Sequence, residues 1–423
     1  MIFPQIYDIL DFKEMKIMNE KEFEIMEIIN GAYTSAKIYT TKNTATAVDQ
    51  YARSQLQMIC DQESSCGCQI RVMTDVHPGK VGTIGLTMTI GKKIIPNLIG
   101  IDIGCGMTLA RIKGKKIECQ KLDSIIRESV PSGFTIRTKA HRFADEFDFH
   151  TLKCSKHIRT DKAILSLGSL GSGNHFIEAD KDEEGNLFIV IHSGSRHLGK
   201  EVTEYYLKEG QKQLKEKGLT VPFEVTWLEG PLMADYLHDL QIIQQFASLN
   251  REIILDELVK GMKWKVLDSC ECIHNYVDNS DDTIHAFGAP MLRKGAISAK
   301  SGEKVIIPIN MRDGIILGTG LGNIDWNCSA PHGSGRIMKR EDVKNSFTVS
   351  SFKSEMKGIY SSCIGKETLD EAPFAYRRID EIAEVIGDSV NIENLQLLLQ
   401  FRLSFCKQKD RRNCRSNWRF CKY

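Results

Sequence analysis

"NLFIVIHSGSR" (residues 186–196) decides how the chain is read. Leu187 to Ile191 form an unbroken apolar run, as in a strand covered on both faces. The run ends on His192, and Ser193, Gly194 and Ser195 follow at once. A helical pattern then holds from about Lys200 to Lys217. A buried strand thus delivers a histidine to a glycine-rich loop, and a helix carries the chain away. The same grammar recurs. Val48, Ala52, Leu56 and Ile59 recur at helical spacing between Ala45 and Cys60. "QIRVMTD" (69–75) alternates like a strand and delivers Asp75 at its end. "TIGLTMTIGKKIIPNLIGID" (83–102) reads as a hairpin turning at Gly91-Lys92. A second helical pattern spans about Leu232 to Lys265, and strand-like "KVIIPIN" (304–310) leads into another glycine-rich region. The expectation is an α+β domain, mixed sheets with helices, its chemistry on loops. No regular βαβ repeat supports a doubly wound sheet.

At 423 residues, 42% hydrophobic and 26% charged, the chain has a globular composition and length enough for a large core. The net charge of +1 makes no global case for nucleic acid. Its distribution is uneven. Residues 402–423 hold eight Lys and Arg against Asp410 alone, which leaves residues 1–401 net acidic. The first 15 residues lack the basic and apolar segments of a signal peptide. No apolar run reaches the roughly 18 residues that span a bilayer. An odd 13 cysteines, with no C-x-x-C pair, suit reduced thiols in a cytoplasmic protein.

"IGIDIGCGM" (99–107) sets Asp102 and Cys105 on a bare, glycine-rich backbone. His175 in "GSGNHFIE", His192, His274 in "IHNYV" and His332 in "APHGSGR" each adjoin Gly, Ser or Asn at an expected element end. A thiolate, a carboxylate and imidazoles are all donors to first-row metals, and one thiolate can bridge two ions. The competing reading is a tight turn over a buried thiol, with ordinary hydrogen-bonded histidines.

The phosphate-binding signals sort less cleanly. "GSRHLGKE" (194–201) has P-loop spacing, but Glu201 stands where Ser or Thr should hold magnesium. "GTGLGN" (318–323) and "GSLGSGN" (168–174) serve equally as turns. No K-x-D-G occurs, so nucleotidyl transfer would need another nucleophile. A neutral imidazole can attack phosphorus, and His332, flanked by Gly333, Ser334 and Gly335, is accessible for that role.

Taken together, "DVHPGKVGTIG", "IIPNLIGIDIGCGM", "LGSLGSGNHFIE", "HSGSR", "HNYV", "GLGN", "PHGSGRIMKR" and "DEAPFAYRRID" resemble the RtcB-type RNA-splicing ligase family, in its order, across residues 75–380. The resemblance implies a single large RtcB-like α+β domain over residues 1–401, with 402–423 as a poorly ordered basic tail. It implies joining of RNA 3′-phosphate or 2′,3′-cyclic phosphate ends to 5′-hydroxyl ends, in RNA repair or tRNA splicing, with GTP and two Mn²⁺ ions. Archease assists some members. His332 would carry GMP, Asp75 would orient it and Arg196 would hold phosphate. The metal positions carry over to Asp102, Cys105, His175, His192 and His274. Nucleotide contacts carry over to Asn174, His175, Phe176, Ile177, Glu178, His274 and Asn275. They continue at Pro308, Ile309, Asn310, Met311, His332 to Gly335, the guanine-stacking Tyr376, and Arg402.

Two departures stand out. The family's G-S-M after "IIP", with a hydroxyl four positions on, is replaced by "INMRDGI", which puts Asn310 and Ile315 at those places. The guanine-contacting terminal lysine has Arg402 as its nearest match. They motivate a rival, a dinuclear metal phosphoesterase on RNA ends that has lost guanylylation. A second rival is a non-catalytic RNA-binding protein using the basic tail.

Overall fold

A computed structural model describes residues 26–40 and 48–404. Two sheets carry most of the strands. One has six strands in the order 26–30, 35–39, 70–77, 84–89, 291–294, 275–278. The other has seven, in the order 266–273, 106–112, 187–193, 176–181, 390–404, 314–320, 304–310. Within these two sheets only the pairing of Ser35–Tyr39 with Ile70–His77 is parallel, and the helix Gln50–Cys60 makes that crossover. The architecture is α+β with mixed sheets, as expected.

The strand Leu187–Ser193 is buried at every position because both its faces are covered. Leu187, Ile189 and Ile191 pack with Leu122 and Ile126 of one helix and Ile254 and Leu258 of another. Phe188 and Val190 face the opposite way, into a cluster with Ile306, Ile382 and Ile386. The helix Gly230–Met262 serves both sheets. Leu240, Ile243 and Phe246 join the core of the six-stranded sheet, with Val72, Leu86, Leu56 and Ile59. Ile254 and Leu258, further along, join the core of the seven-stranded one. Pro231 sits in its first turn, where its missing N–H costs nothing.

Three expectations need correction. Residues 83–102 do not form a hairpin. Ile84–Thr89 pairs with Met291–Lys294 on one side and with Ile70–His77 on the other, so its ladder is full. Lys93–Ile94 pairs instead with Leu228–Glu229. The strand delivering Asp75 runs on to His77. The proposed domain boundary at residue 402 cuts through a strand. Val390–Ser404 pairs with Phe176–Lys181, and Phe401, Arg402 and Leu403 are buried. Residues 405–423 of the proposed tail lie outside the described residues, as do 1–25 and 41–47.

Candidate active site

Four adjacent strands of the larger sheet, 266–273, 106–112, 187–193 and 176–181, are successively antiparallel. Their registers bring Ile273 opposite Gly106, Met107 opposite His192, and Phe176 opposite His192. Cys105 precedes one strand, His175 precedes another, His192 closes a third and His274 follows the fourth. All four side chains therefore meet at one edge of the sheet. His274 is also the link to Asn275–Asp278 in the other sheet. His332 follows the short strand Ser329–Pro331, and Asp75 comes from the six-stranded sheet. The site lies where the two sheets meet.

The donors form a continuous chain. Asp102 Oδ2 is 2.9 Å from His175 Nε2. Cys105 Sγ is 3.4 Å from His175 Nε2 and 3.3 Å from His192 Nε2. His192 Nε2 is 3.3 Å from His274 Nε2, and the rings of His274 and His332 lie 4.8 Å apart. Asp75 Oδ2 accepts from His332 Nδ1 at 2.5 Å and from its backbone N–H at 3.1 Å. That carboxylate only accepts, so Nδ1 of His332 carries a proton, and in the neutral ring Nε2 is the nitrogen with the lone pair.

The chemistry of this cluster fits a cation. His175 Nδ1 donates to Leu170 O at 2.9 Å and His192 Nδ1 donates to Asn174 O at 3.0 Å. Both rings thus turn Nε2 toward the cluster, where a neutral imidazole presents a lone pair. One of those lone pairs faces a carboxylate oxygen, and the other faces a sulfur and a third imidazole. A proton on His175 would satisfy Asp102 but not the Cys105, His192 and His274 contacts. Burial, with His175 and His332 adding, holds His192 well below its ordinary pKa. Burial, with His332 and His192 adding, does the same for His274. Both rings stay neutral, the state that ligates metal. Burial and the Asp102 charge push the Cys105 thiol well above its usual range. Burial would also raise Asp102, but the charge and hydrogen bond of His175 outweigh it and the carboxyl sits at about 2. A buried Cys105, His175 and His192 group is thus able to hold a metal ion.

The backbone around the cluster is built for close approach. A Cβ at Gly194 would lie 2.2 Å from Asp102 Oδ1. Only a glycine lets the carboxylate pass over the loop after His192. Asn275 braces the same loop system, donating to Asp102 O at 3.3 Å and accepting from Gly295 N at 2.9 Å.

The remaining expected positions divide into groups. Arg196 opens the helix Arg196–Glu216 at φ 56°, donating to Ser169 Oγ at 3.2 Å and Gly133 O at 3.1 Å. Phe176 meets His192 edge-on, with ring centroids 5.2 Å apart. Asn174 is exposed, and its carbonyl holds His192. Pro308 and Ile309 abut the turn after His332, where Ser334 Oγ donates to Ile309 O at 2.7 Å. Tyr376 bridges backbone with Arg336 in that same turn, and its hydroxyl bonds Arg336 and Glu371. Glu178 and Arg402 pair with each other at 3.1 Å, and Arg402 stacks on Phe176 at 3.9 Å.

Three positions do not point at the cluster. Ile177 alternates to the opposite face of its strand, into the core with Ile126 and Leu258. Met311 is buried with Phe352 and Met356. Asn310 closes its own turn, accepting from Arg312 N and Asp313 N and donating to Asp313 Oδ2.

Sequence reasoning missed a layer of supports. Arg251 is fully buried and donates to Gly104 O at 2.8 Å and Ser193 O at 2.6 Å, the loops that carry Cys105 and His192. Asn250 beside it reaches Ser193 Oγ and Gly194 O. His77 bonds Asp75 O at 2.8 Å, and burial pulls its pKa down to about 4. In the sequence the pair sits in "SLNRE", one polar stretch among several in this helix, so nothing singled it out.

Fold and site together define a large α+β protein with a buried thiol–imidazole–carboxylate centre beside a carboxylate-held histidine. The model of the tRNA-splicing ligase RtcB family matches residues 59–397, and this chain belongs to that family. It is similar to RNA-splicing ligase RtcB1 of one Escherichia coli strain, 33% identical over 362 residues that cover 76% of this chain and 87% of that protein. RNA-splicing ligase RtcB of Escherichia coli K12 is 32% identical with the same coverage. The tRNA-splicing ligase RtcB of Pyrobaculum aerophilum is 27% identical, with 74% of this chain and 82% of that protein aligned.

Proposed function

We propose that this chain is a GTP- and manganese-dependent RNA ligase that joins 3′-phosphate or 2′,3′-cyclic phosphate ends to 5′-hydroxyl ends. Its role would be RNA repair or tRNA splicing in the cytoplasm, with archease as a candidate helper. Among the described residues no helix is long and apolar enough to cross a membrane. The observation that carries the reading is the unbroken series Asp102, His175, Cys105, His192, His274, His332, Asp75. By distance, Asp102, Cys105 and His175 would hold one ion, and Cys105, His192 and His274 the other. When bound, the two cations neutralise triphosphate charge and polarise the P–O bond.

His332 does the nucleophilic work. Asp75 keeps the proton on Nδ1, so the Nε2 lone pair attacks the α-phosphorus of GTP and pyrophosphate leaves. An oxygen of the RNA 3′-phosphate then displaces Nε2 and takes the GMP. A cyclic end is hydrolysed to the 3′-phosphate first. The 5′-hydroxyl oxygen finally attacks the RNA phosphorus, GMP departs and the phosphodiester is sealed. Arg196, beside Asp102, supplies a fixed positive charge for phosphate. Tyr376, Glu178 and Arg402 would frame the guanine.

Incubation with α-labelled GTP and Mn²⁺ tests this. A covalent label that disappears in His332→Ala and in Cys105→Ala supports the ligase. No label, with cyclic-phosphate hydrolysis intact, replaces it with the dinuclear phosphoesterase.

A further inference from the structure

The turn Ser132–Thr135 presents Phe134 to solvent with 74% of its surface exposed, the most of any large apolar side chain among the described residues. Burying that ring elsewhere would be favourable, so its exposure needs a reason. Its backbone is not loose. Gly133 N donates to Gly171 O at 2.7 Å, Leu170 N donates to Pro131 O at 2.8 Å, and Thr135 N closes the turn on Ser132 O at 3.1 Å. Ser132 also forms a parallel bridge with Gly171.

Those partners belong to the site. Leu170 O accepts from His175 Nδ1. A Cβ at Gly171 would lie 1.8 Å from Arg196 Nη1 and 2.8 Å from His175 Nδ1. Arg196 in turn donates to Gly133 O at 3.1 Å. Phe134 is the next residue, about 3.8 Å from Gly133 along the chain. The turn that carries this exposed ring is therefore fastened to the segment that holds His175 and to Arg196.

We propose that Phe134 is a stacking platform for the nucleobase at an RNA end, holding that end over Arg196 and the metal centre. This rests on the ligase reading. The occupant follows from the surroundings. From Ser129 to Ala144 the chain carries Arg137, Lys139 and Arg142 and no carboxylate. Arg137 is tied to Ser129 O, Leu167 O and Glu257 and Arg142 is engaged by Asp256, while Lys139 is exposed five residues beyond the ring. A flat apolar face with an exposed lysine five residues along the same loop suits a base and its phosphate, and the contact is tolerant of sequence. It would supply the grip that a ligase of varied ends needs.

The test is a fluorescence titration with short RNAs that carry 2-aminopurine as the terminal base, one with a 3′-phosphate and one with a 5′-hydroxyl end. Wild type should quench the probe in one of the two. Phe134→Ala should abolish the quench and weaken that RNA about 5- to 150-fold, and Phe134→Trp should restore both. In ligation the same loss should fall on KM for that RNA. Absence of quenching by wild type in both RNAs overturns the proposal, as does wild-type affinity of Phe134→Ala for both. The titration needs no chemistry, so it fails or succeeds separately from the labelled-GTP assay. The exposed position keeps folding out of the comparison, and matching melting temperatures check that.

Discussion

Gly194→Ala offers the sharpest test of the metal centre. The three atoms nearest to an added Cβ all belong to Asp102, with Oδ1 at 2.2 Å, Cγ at 2.7 Å and Oδ2 at 2.9 Å. No other side chain or backbone is among them. Alanine is compatible with the backbone here, since Gly194 is not among the positive-φ glycines. Ordinary contact begins at about 3.4 Å, so the carboxylate must withdraw by about 1.2 Å. That displacement is large against its 2.9 Å approach to His175 Nε2. Asp102 would then lose its place beside His175 while the fold keeps its core. Misorienting a ligand typically weakens a site 10- to 100-fold, or about 1.4–2.7 kcal/mol. Calorimetric titration with Mn²⁺ should show one of two sites weakened by that factor, and the other, built on Cys105, His192 and His274, retained. Binding of two ions with wild-type affinity would refute the placement of Asp102 in the first coordination sphere.

Asp75→Asn should leave the melting temperature near wild type and slow His332 labelling by α-labelled GTP about 10²- to 10⁴-fold, because the amide no longer enforces the proton on Nδ1. Arg251→Met should lower stability by about 2–6 kcal/mol in urea unfolding. It orphans the carbonyls of Gly104 and Ser193, each worth about 1–3 kcal/mol, while Glu271 is exposed enough to be solvated. Lys294 gives a pH signature. Its ammonium is buried against Val81 O and Asn97 O with no carboxylate bonded to it, and burial pulls its pKa from 10.5 to about 7. Between those values the unfolded chain holds a proton that the folded one has released, so stability should rise with pH across that window. Lys294→Met should flatten that slope in urea titrations at pH 7 and pH 10; an unchanged slope would show that Lys294 is not its source.

Cys105 and the three histidines could be read from their own neighbourhoods because each lies at a strand end, and Asp102 from the glycine-rich turn that leads to Cys105. An apolar run that stops at His192, or resumes after Cys105, is a local pattern, and local patterns survive in a sequence. Which strands then stand side by side is not local. The hairpin expected over residues 83–102 failed for that reason: its turn chemistry was plausible, but Met291–Lys294, two hundred residues on, occupies the edge that the hairpin would have used. Arg251 and Asn250 were invisible because apolar spacing identifies the buried face of a helix without telling which polar residues are enclosed with it. Arg402 was assigned to a tail by charge count, whereas the alternation of Phe401, Arg402 and Leu403 puts all three inside a paired strand. The same division explains how the site is constructed. Cys105, His175, His192 and His274 come from the ends of four antiparallel neighbours whose ladders and apolar clusters are built largely from other residues. The supports behind them, Arg251 and Asn250, are shared with the fold. Losing a donor should therefore cost metal and chemistry but spare the sheet, whereas losing a support should cost both, and only the first class of residue announces itself in a motif.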